Sequence, residues 1–247
     1  MINHNYTPYP TPATPCVVVM AKRPIPGRVK TRLTPDFSAF QAACIHAAML
    51  DCVLHRLVKL LPGQHLLALD SDPDPSTYTP AAPLDFQIPP GFQVMDQGRG
   101  NLGDRLNHVW HTIYDGAGPG PGGGQTAFFG VDSPDIPAQA LKKLWPTLDQ
   151  AQAVIGPVDD GGYWCLAAKR PSPQLLKGID WGTQAVYHQT HTAAQNAGLK
   201  LIDLTPWHDV DTPTDLHALQ NRLAHAEEPT LARLRQRLMR ITQDTTR

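Results

Sequence analysis

The sequence lacks an excess of charge of either sign. Its 21 Lys and Arg stand against 22 Asp and Glu, and charged residues make up only 17% of 247. A general nucleic-acid binder carries a basic surplus, so that class is excluded. No run of about 18 apolar residues exists, so no membrane span is expected. The first fifteen residues have neither a basic start nor an apolar stretch, so they do not read as a secretory signal. Cysteine is scarce: Cys16, Cys44, Cys52 and Cys165 form no C-x-x-C pair. Cys44 and Cys52 fall on one predicted helix about 12 Å apart, too far for a disulfide. Free thiols in a cytoplasmic protein are the expectation. The eleven histidines contain no H-E-x-x-H spacing, and no G-x-S-x-G elbow occurs. Nucleophilic hydrolysis is thereby disfavoured. The G-x-G-x-x-G fingerprint is absent after the first predicted strand, which argues against a dinucleotide cofactor.

Hydrophobic residues, 41% of the chain, are enough for a core. The 25 prolines are about twice the ordinary share of roughly 5%. Residues 1–15 read as a flexible proline-rich tail, and residues 16–247 as one domain. Buried strands are predicted at Cys16–Met20, His65–Leu69, Phe92–Asp96, in TAFFGVD ending at Asp132, in AVIGPV, in YWCLAA and in LKLIDL. Helices are predicted from Asp36 to about Leu61, over GNLGDRLNHVWHTIY, over SPDIPAQALKKLWPTL, at 183–197, after Thr212, and at Thr230–Thr242. Asp51 falls on the apolar face of the first helix and reads as a satisfied buried carboxylate. The last helix is basic, with a solvated face expected. Residues 70–91 read as loop. Gly116–Gly124 is a connector, lacking the G-K-[ST] ending of a phosphate loop. Strands alternating with helices predict an α/β layered domain around a mostly parallel sheet.

In such a sheet ligands bind beyond the carboxyl ends of the strands, and the unusual residues lie there. Lys22, Arg23, Arg28, Lys30 and Arg32 follow the first strand within eleven residues, with no acid before Asp36. Gly27 allows close backbone approach. Such a loop suits phosphate, gripped by lysine point charges and arginine forks. Opposed to it are carboxylates: Asp132 and Asp135 after a hydrophobic strand, Asp159 and Asp160 in a glycine turn, Asp209 and Asp211 before a helix. Oxygen ligands without His or Cys suit Mg²⁺ or Mn²⁺. Helix capping is the reading for Asp135 and Asp215. Turn chemistry and a site role stay open for Asp159, and metal binding is the reading for Asp132 and Asp211. His208 reads as a surface histidine.

Six segments occur in order: AKRPIPGRVKTRL from Ala21, GNLGDR from Gly100, VDSPD from Val131, GPVDDGGY from Gly156, WGT from Trp181 and DVDTPTDL from Asp209. Together they resemble the DUF2064 family, also called radical-SAM/selenodomain-associated transferase 1, with members labelled arsenosugar-biosynthesis glycosyltransferases. The resemblance spans about residues 16–220. It implies a three-layer GT-A-like nucleotide-diphospho-sugar transferase fold with a central, mostly parallel mixed sheet flanked by helices. It implies a nucleotide sugar and a small-molecule acceptor as partners, and Mg²⁺ or Mn²⁺ as cofactor. Asp132 matches the metal-binding aspartate after the central strand. The turn reads Asp-Ser-Pro-Asp rather than Asp-x-Asp, so Asp211 is the candidate second ligand. Where the family usually has an aspartate, Asn101 stands here.

Lys22, Gly27, Lys30, Thr31 and Arg32 would hold the diphosphate, with Gln97 and Arg105 near the nucleotide. Asp159 or Asp160 would activate the acceptor hydroxyl as general base. Gly161, Gly162, Tyr163, Trp181 and Thr183 would face the sugar, although core packing explains the two aromatics equally well. The basic loop and the Asp-x-Asp-Thr-Pro-x-Asp-Leu segment also resemble phospholactate guanylyltransferases. Nucleotidyl transfer with pyrophosphate release is therefore the alternative to sugar transfer.

Overall fold

The structure is a computed structural model and describes residues 14–70, 87–115 and 124–243. The expected tail, the proline-rich loop and the glycine connector lie largely outside these residues. The chain order is β1 (Cys16–Ala21), α1 (Ala39–Leu60), β2 (Gln64–Leu69), β3 (Phe92–Asp96), α2 (Leu102–Tyr114), β4 (Thr126–Phe129). It continues with α3 (Ala138–Lys142), α4 (Leu144–Leu148), β5 (Ala153–Pro157), β6 (Tyr163–Ala168), α5 (Val186–Asn196), β7 (Leu201–Asp203), α6 (Pro213–Leu223) and α7 (Pro229–Gln243).

The seven strands form one sheet in the order β3-β2-β1-β4-β6-β5-β7. β1 pairs in parallel with β2 and β4, β2 with β3, and β5 with β7, while β6 runs antiparallel to both neighbours. The result is the mixed, mostly parallel sheet of a GT-A-like nucleotide-diphospho-sugar transferase fold. Its strands alternate strictly at the centre. Val17, Val19, Leu67 and Phe129 face the layer of α1, α3, α4, α6 and α7. Val18, Leu66 and Phe128 face the layer of α2 and α5. A strand buried on both faces needs the unbroken apolar run that CVVVM supplies.

α1 begins at a capping box in which Ser38 and Gln41 satisfy each other's backbone N–H groups. Burying Ile45, Met49, Leu50 and Leu54 stabilises by about 1.5–3 kcal/mol each. Asp51 is buried on that helix as expected. It accepts from Arg233 Nη2 at 2.9 Å and pairs with Arg237 Nη1 at 3.1 Å. Both arginines come from α7, so the expectation of a wholly solvated basic face is corrected: two of its cations neutralise a buried acid, and Leu234 and Leu238 enter the core.

Two further expectations are revised. β4 ends at Phe129 rather than Asp132, and Gly130 makes the last bond to β6 at 3.3 Å. The predicted helix of SPDIPAQALKKLWPTL is two short helices, because Pro146 has no N–H for the Lys142 carbonyl. No helix among the described residues is long and apolar enough to cross a membrane.

The chain steps from β1 outward to β2 and β3, then returns to β4 on the other side of β1. That reversal opens a crevice at the carboxyl ends of β1 and β4.

Candidate functional site

A cleft of about 630 Å³ lies at this reversal. Of the residues expected to act, Lys22, Lys30, Thr31, Arg32, Gln97, Arg105, Asp132, Tyr163, Trp181 and Asp211 line it. Gly27, Asp159, Asp160, Gly161, Gly162 and Thr183 are not part of its lining.

One wall is the loop leaving β1. Asp70 fixes its start by accepting from the Arg23 backbone N–H at 2.7 Å. Gly27 turns the chain at φ 79°, with open space where a Cβ would sit. Lys30 is left-handed at φ 47°, ψ 38°, a conformation that costs a non-glycine residue roughly 1–2 kcal/mol. Its side chain turns inward and is 4% exposed. The ammonium donates to Asp132 Oδ1, to the Val210 carbonyl and, at 3.0 Å, to Asp211 Oδ1. All three of its protons are therefore engaged. Burial would lower its pKa, but the two carboxylates outweigh that and raise it, so it stays charged. Desolvation likewise opposes the charge on Asp132, yet Lys30 holds that carboxyl below the usual range. Arg32 is exposed and donates to Asp211 Oδ2 at 3.3 Å.

The cleft floor is knit by Gln97, whose side chain donates to the Ala21 carbonyl at 3.2 Å and whose backbone N–H donates to Leu69 at 2.9 Å. His46 from α1, which sequence reasoning passed over, also lines it and bonds the Lys22 carbonyl through Nε2. Nothing in the helical pattern distinguishes His46 from its core neighbours Ile45 and Ala47. Arg105 donates to the Gly100 carbonyl at 3.0 Å, at the start of α2. Asn101 caps that helix in a box with Asp104.

The opposite wall is aromatic. Tyr163 and Trp181 meet edge to face at 6.5 Å. Trp181 lies against Gly103, where a Cβ would fall 2.6 Å from its Nε1. The Tyr163 hydroxyl is buried without a hydrogen-bond partner among the described residues, and burial pushes its pKa up. Thr183 supports the neighbouring turn, donating to the Asp180 carbonyl at 2.7 Å.

Beside the cleft, Asp160, Asp209 and Asp211 converge, each offering an oxygen within 4.8 Å of the others. Asp209 was legible as half of an Asp-x-Asp pair, but not as a member of this group. Its pKa is pushed up to about 6, by burial first and then by Asp160 and Asp211. The glycine turn aims Asp160. Its Oδ1 accepts from Gly162 N–H at 2.9 Å, and Gly161 sits at φ +87° where a Cβ would meet the Gln184 carbonyl at 2.1 Å. Asp159 points to solvent and pairs with His208 Nδ1. Three oxygen donors without sulfur or nitrogen fit a hard divalent ion such as Mg²⁺ or Mn²⁺.

Asp215 caps α6 as expected, in a box with Thr212. Asp135 does not cap a helix. It is buried and accepts from Arg222 Nε at 2.6 Å and Trp207 Nε1 at 3.1 Å, because a buried carboxylate needs a counter-charge more than a neighbouring helix needs a cap. Arg56 anchors the same turn by donating to the Pro134 and Ile136 carbonyls at 2.8 and 2.7 Å.

The family described as "Uncharacterized protein conserved in bacteria (DUF2064)" matches residues 53–183, more than half of the chain. Among solved structures, a protein of Desulfovibrio desulfuricans G20 described as a candidate nucleotide-diphospho-sugar transferase is similar at 26% identity and TM-score 0.76. The alignment covers 93% of this chain and 97% of that one. A 4-diphosphocytidyl-2C-methyl-D-erythritol synthase shares the fold at 10% identity and TM-score 0.52, over 85% of this chain and 97% of its own. The Rv0371c homologue of Mycobacterium sp. strain JC1 does so at 17% identity and TM-score 0.51, over 85% and 96%. No curated protein matches the chain.

Proposed function

Because the chain belongs to the DUF2064 family, we propose that it is a metal-dependent, glycosyltransferase-like enzyme moving a sugar from a nucleotide-diphospho-sugar to a small-molecule acceptor. One observation carries this reading. The exposed cations leaving β1 face carboxylates from distant segments across a single cleft, with an aromatic wall at its side. The name given to the Desulfovibrio desulfuricans protein supports the same donor class.

In this reading Lys22 and Arg32 grip the diphosphate, as exposed groups able to exchange water for phosphate oxygens. Lys30, with Gly27 and Thr31 beside it, sets the positive end of the cleft from beneath. Gln97 and Arg105 border the nucleotide. Tyr163 and Trp181, held by the turns of Gly161, Gly162 and Thr183, offer apolar faces to the sugar. Of the two candidate bases, Asp160 stands with the carboxylates that would hold the metal, so Asp159, steadied by His208, takes the acceptor's proton. Mg²⁺ or Mn²⁺ would be held by Asp211 with Asp160 and Asp209, while Asp132, the other candidate ligand, is paired with Lys30. Its chemistry is to neutralise the charge that develops on the departing diphosphate.

The test is turnover of UDP- and GDP-sugars with Mn²⁺, for the protein and for Asp211→Asn. Metal-dependent nucleoside diphosphate release, lost in the variant, is the expected result. Pyrophosphate release from a nucleoside triphosphate and a phosphorylated acceptor, with no sugar-nucleotide turnover, would replace sugar transfer by nucleotidyl transfer.

A further inference from the structure

Lys30 is the single residue other than glycine, among those described, with a left-handed backbone. That conformation turns its side chain away from solvent and under the cleft. The ammonium then lies between two carboxylates that belong to segments 102 and 181 residues away. Asp132, Val210 and Asp211 take up its three protons. Asp211 is shared further: its Oδ2 faces Arg32, and one of its oxygens also belongs to the group formed with Asp160 and Asp209.

A cation is thus already supplied by the chain, covalently tethered, at the carboxylate pair that a sequence reading would give to a metal. An ammonium and a divalent ion repel each other, and a carboxylate oxygen that accepts from the ammonium is a poorer metal ligand. Both oxygens of Asp211 accept from a cation, Oδ1 from the buried Lys30 and Oδ2 from Arg32, but the Arg32 side chain is exposed and its pairing is weak, so Lys30 is the stronger competitor.

We infer that Lys30 is a built-in cation that holds the Asp132–Asp211 pair, excludes a divalent ion from between them, and competes for Asp211 with an ion bound by Asp160 and Asp209. It is a positioning residue. The inference rests on the metal-dependent reading above, and the experiment separates the two.

Mn²⁺ binding is measured by the loss of the free-ion electron paramagnetic resonance signal, on the whole protein, on Lys30→Met and on Lys30→Arg. Lys30→Met should bind Mn²⁺ about tenfold more tightly, or take a second ion. An adjacent charge changes a carboxylate's affinity for a proton by a similar or larger factor. Lys30→Arg, which keeps the charge, should stay close to the unaltered protein. Adding Asp132→Asn to Lys30→Met should remove any second ion. Unchanged or weaker binding in Lys30→Met, with the unaltered protein binding Mn²⁺, overturns the inference alone. Binding by none of the three overturns the metal reading as well. Thermal melts guard against loss of fold. Mn²⁺ should raise the melting temperature of Lys30→Met more than that of the unaltered protein. A Lys30→Met chain that stays unfolded with Mn²⁺ would show that the ion cannot replace the ammonium, and would end the inference too.

Discussion

Replacing Arg56 by Met tests whether the turn carrying Asp132 is held by hydrogen bonds or by packing. Arg56 is 2% exposed. Its guanidinium donates to the carbonyls of Pro134 and Ile136 and, in a fork at 2.9 and 3.1 Å, to Glu228. Methionine keeps most of the apolar volume and removes every donor. Each carbonyl left without its charged partner costs about 1–3 kcal/mol. Glu228 is partly exposed and can turn to water, so its loss adds little. The sum is about 3–5 kcal/mol, the range for breaking a buried charged pair. At roughly 2–4 °C per kcal/mol for a chain of this size, the melting temperature should fall on the order of 10 °C. Stabilisation by added nucleotide and Mn²⁺ should fall as well, because Pro134 lies two residues beyond Asp132. Arg56→Lys, with charge but no fork, should fall between. The assay is a thermal melt followed by circular dichroism, with and without ligand. A melting temperature for Arg56→Met within about 2 °C of the unaltered protein would refute the reasoning.

Gly103→Ala should displace Trp181, since the new Cβ would sit 2.6 Å from its Nε1, while gaining about 1 kcal/mol of helix propensity. Tryptophan fluorescence should change and nucleotide stabilisation should drop with little change in melting temperature; an unchanged spectrum would mean that Trp181 does not line the site. Burial lowers the pKa of His46, so the folded chain takes up its proton less readily than the unfolded chain. The resulting stability is present above the unfolded value of 6.5 and is lost as pH falls below it. Melts at acid and neutral pH should therefore diverge more in the unaltered protein than in His46→Gln, and equal slopes would remove His46 from the account. Arg32→Ala should weaken nucleotide binding most at low ionic strength, because an exposed charge is screened as salt rises. A deficit independent of salt would mean a packing role.

What the sequence disclosed and what it withheld differ by range. CVVVM and TAFF declare buried strands because burial on both faces admits few residue types. Thr212-Pro213-Thr214-Asp215 declares a helix start because each residue acts on a neighbour. The basic loop and the three acidic segments were visible as charge density at strand ends, and the reversal between β1 and β4 gathers several of them around one cleft. Partners were not visible. Asp135 read as a helix cap because the cap is local, whereas its true partners Trp207 and Arg222 lie 72 and 87 residues on. Arg233 and Arg237 read as solvated because nothing in α7 announces Asp51. Lys30 read as a phosphate ligand from its company in the loop. Only its left-handed backbone, which no lysine advertises, turns it inward. Asp209 joined Asp160 and Asp211 through a pairing of distant turns that spacing alone does not encode.

The contact between α1 and α7 bears on how the polypeptide matures. During synthesis α1 emerges early, carrying an acid destined for the interior, while Arg233 and Arg237 have yet to be made. Until residues 229–243 arrive, Asp51 lacks both arginines, and that helix settles best with the carboxylate left in water. The amino-terminal half should therefore linger in a loosened condition, open to chaperones and proteases, and lock only when nearly the whole length described here is available.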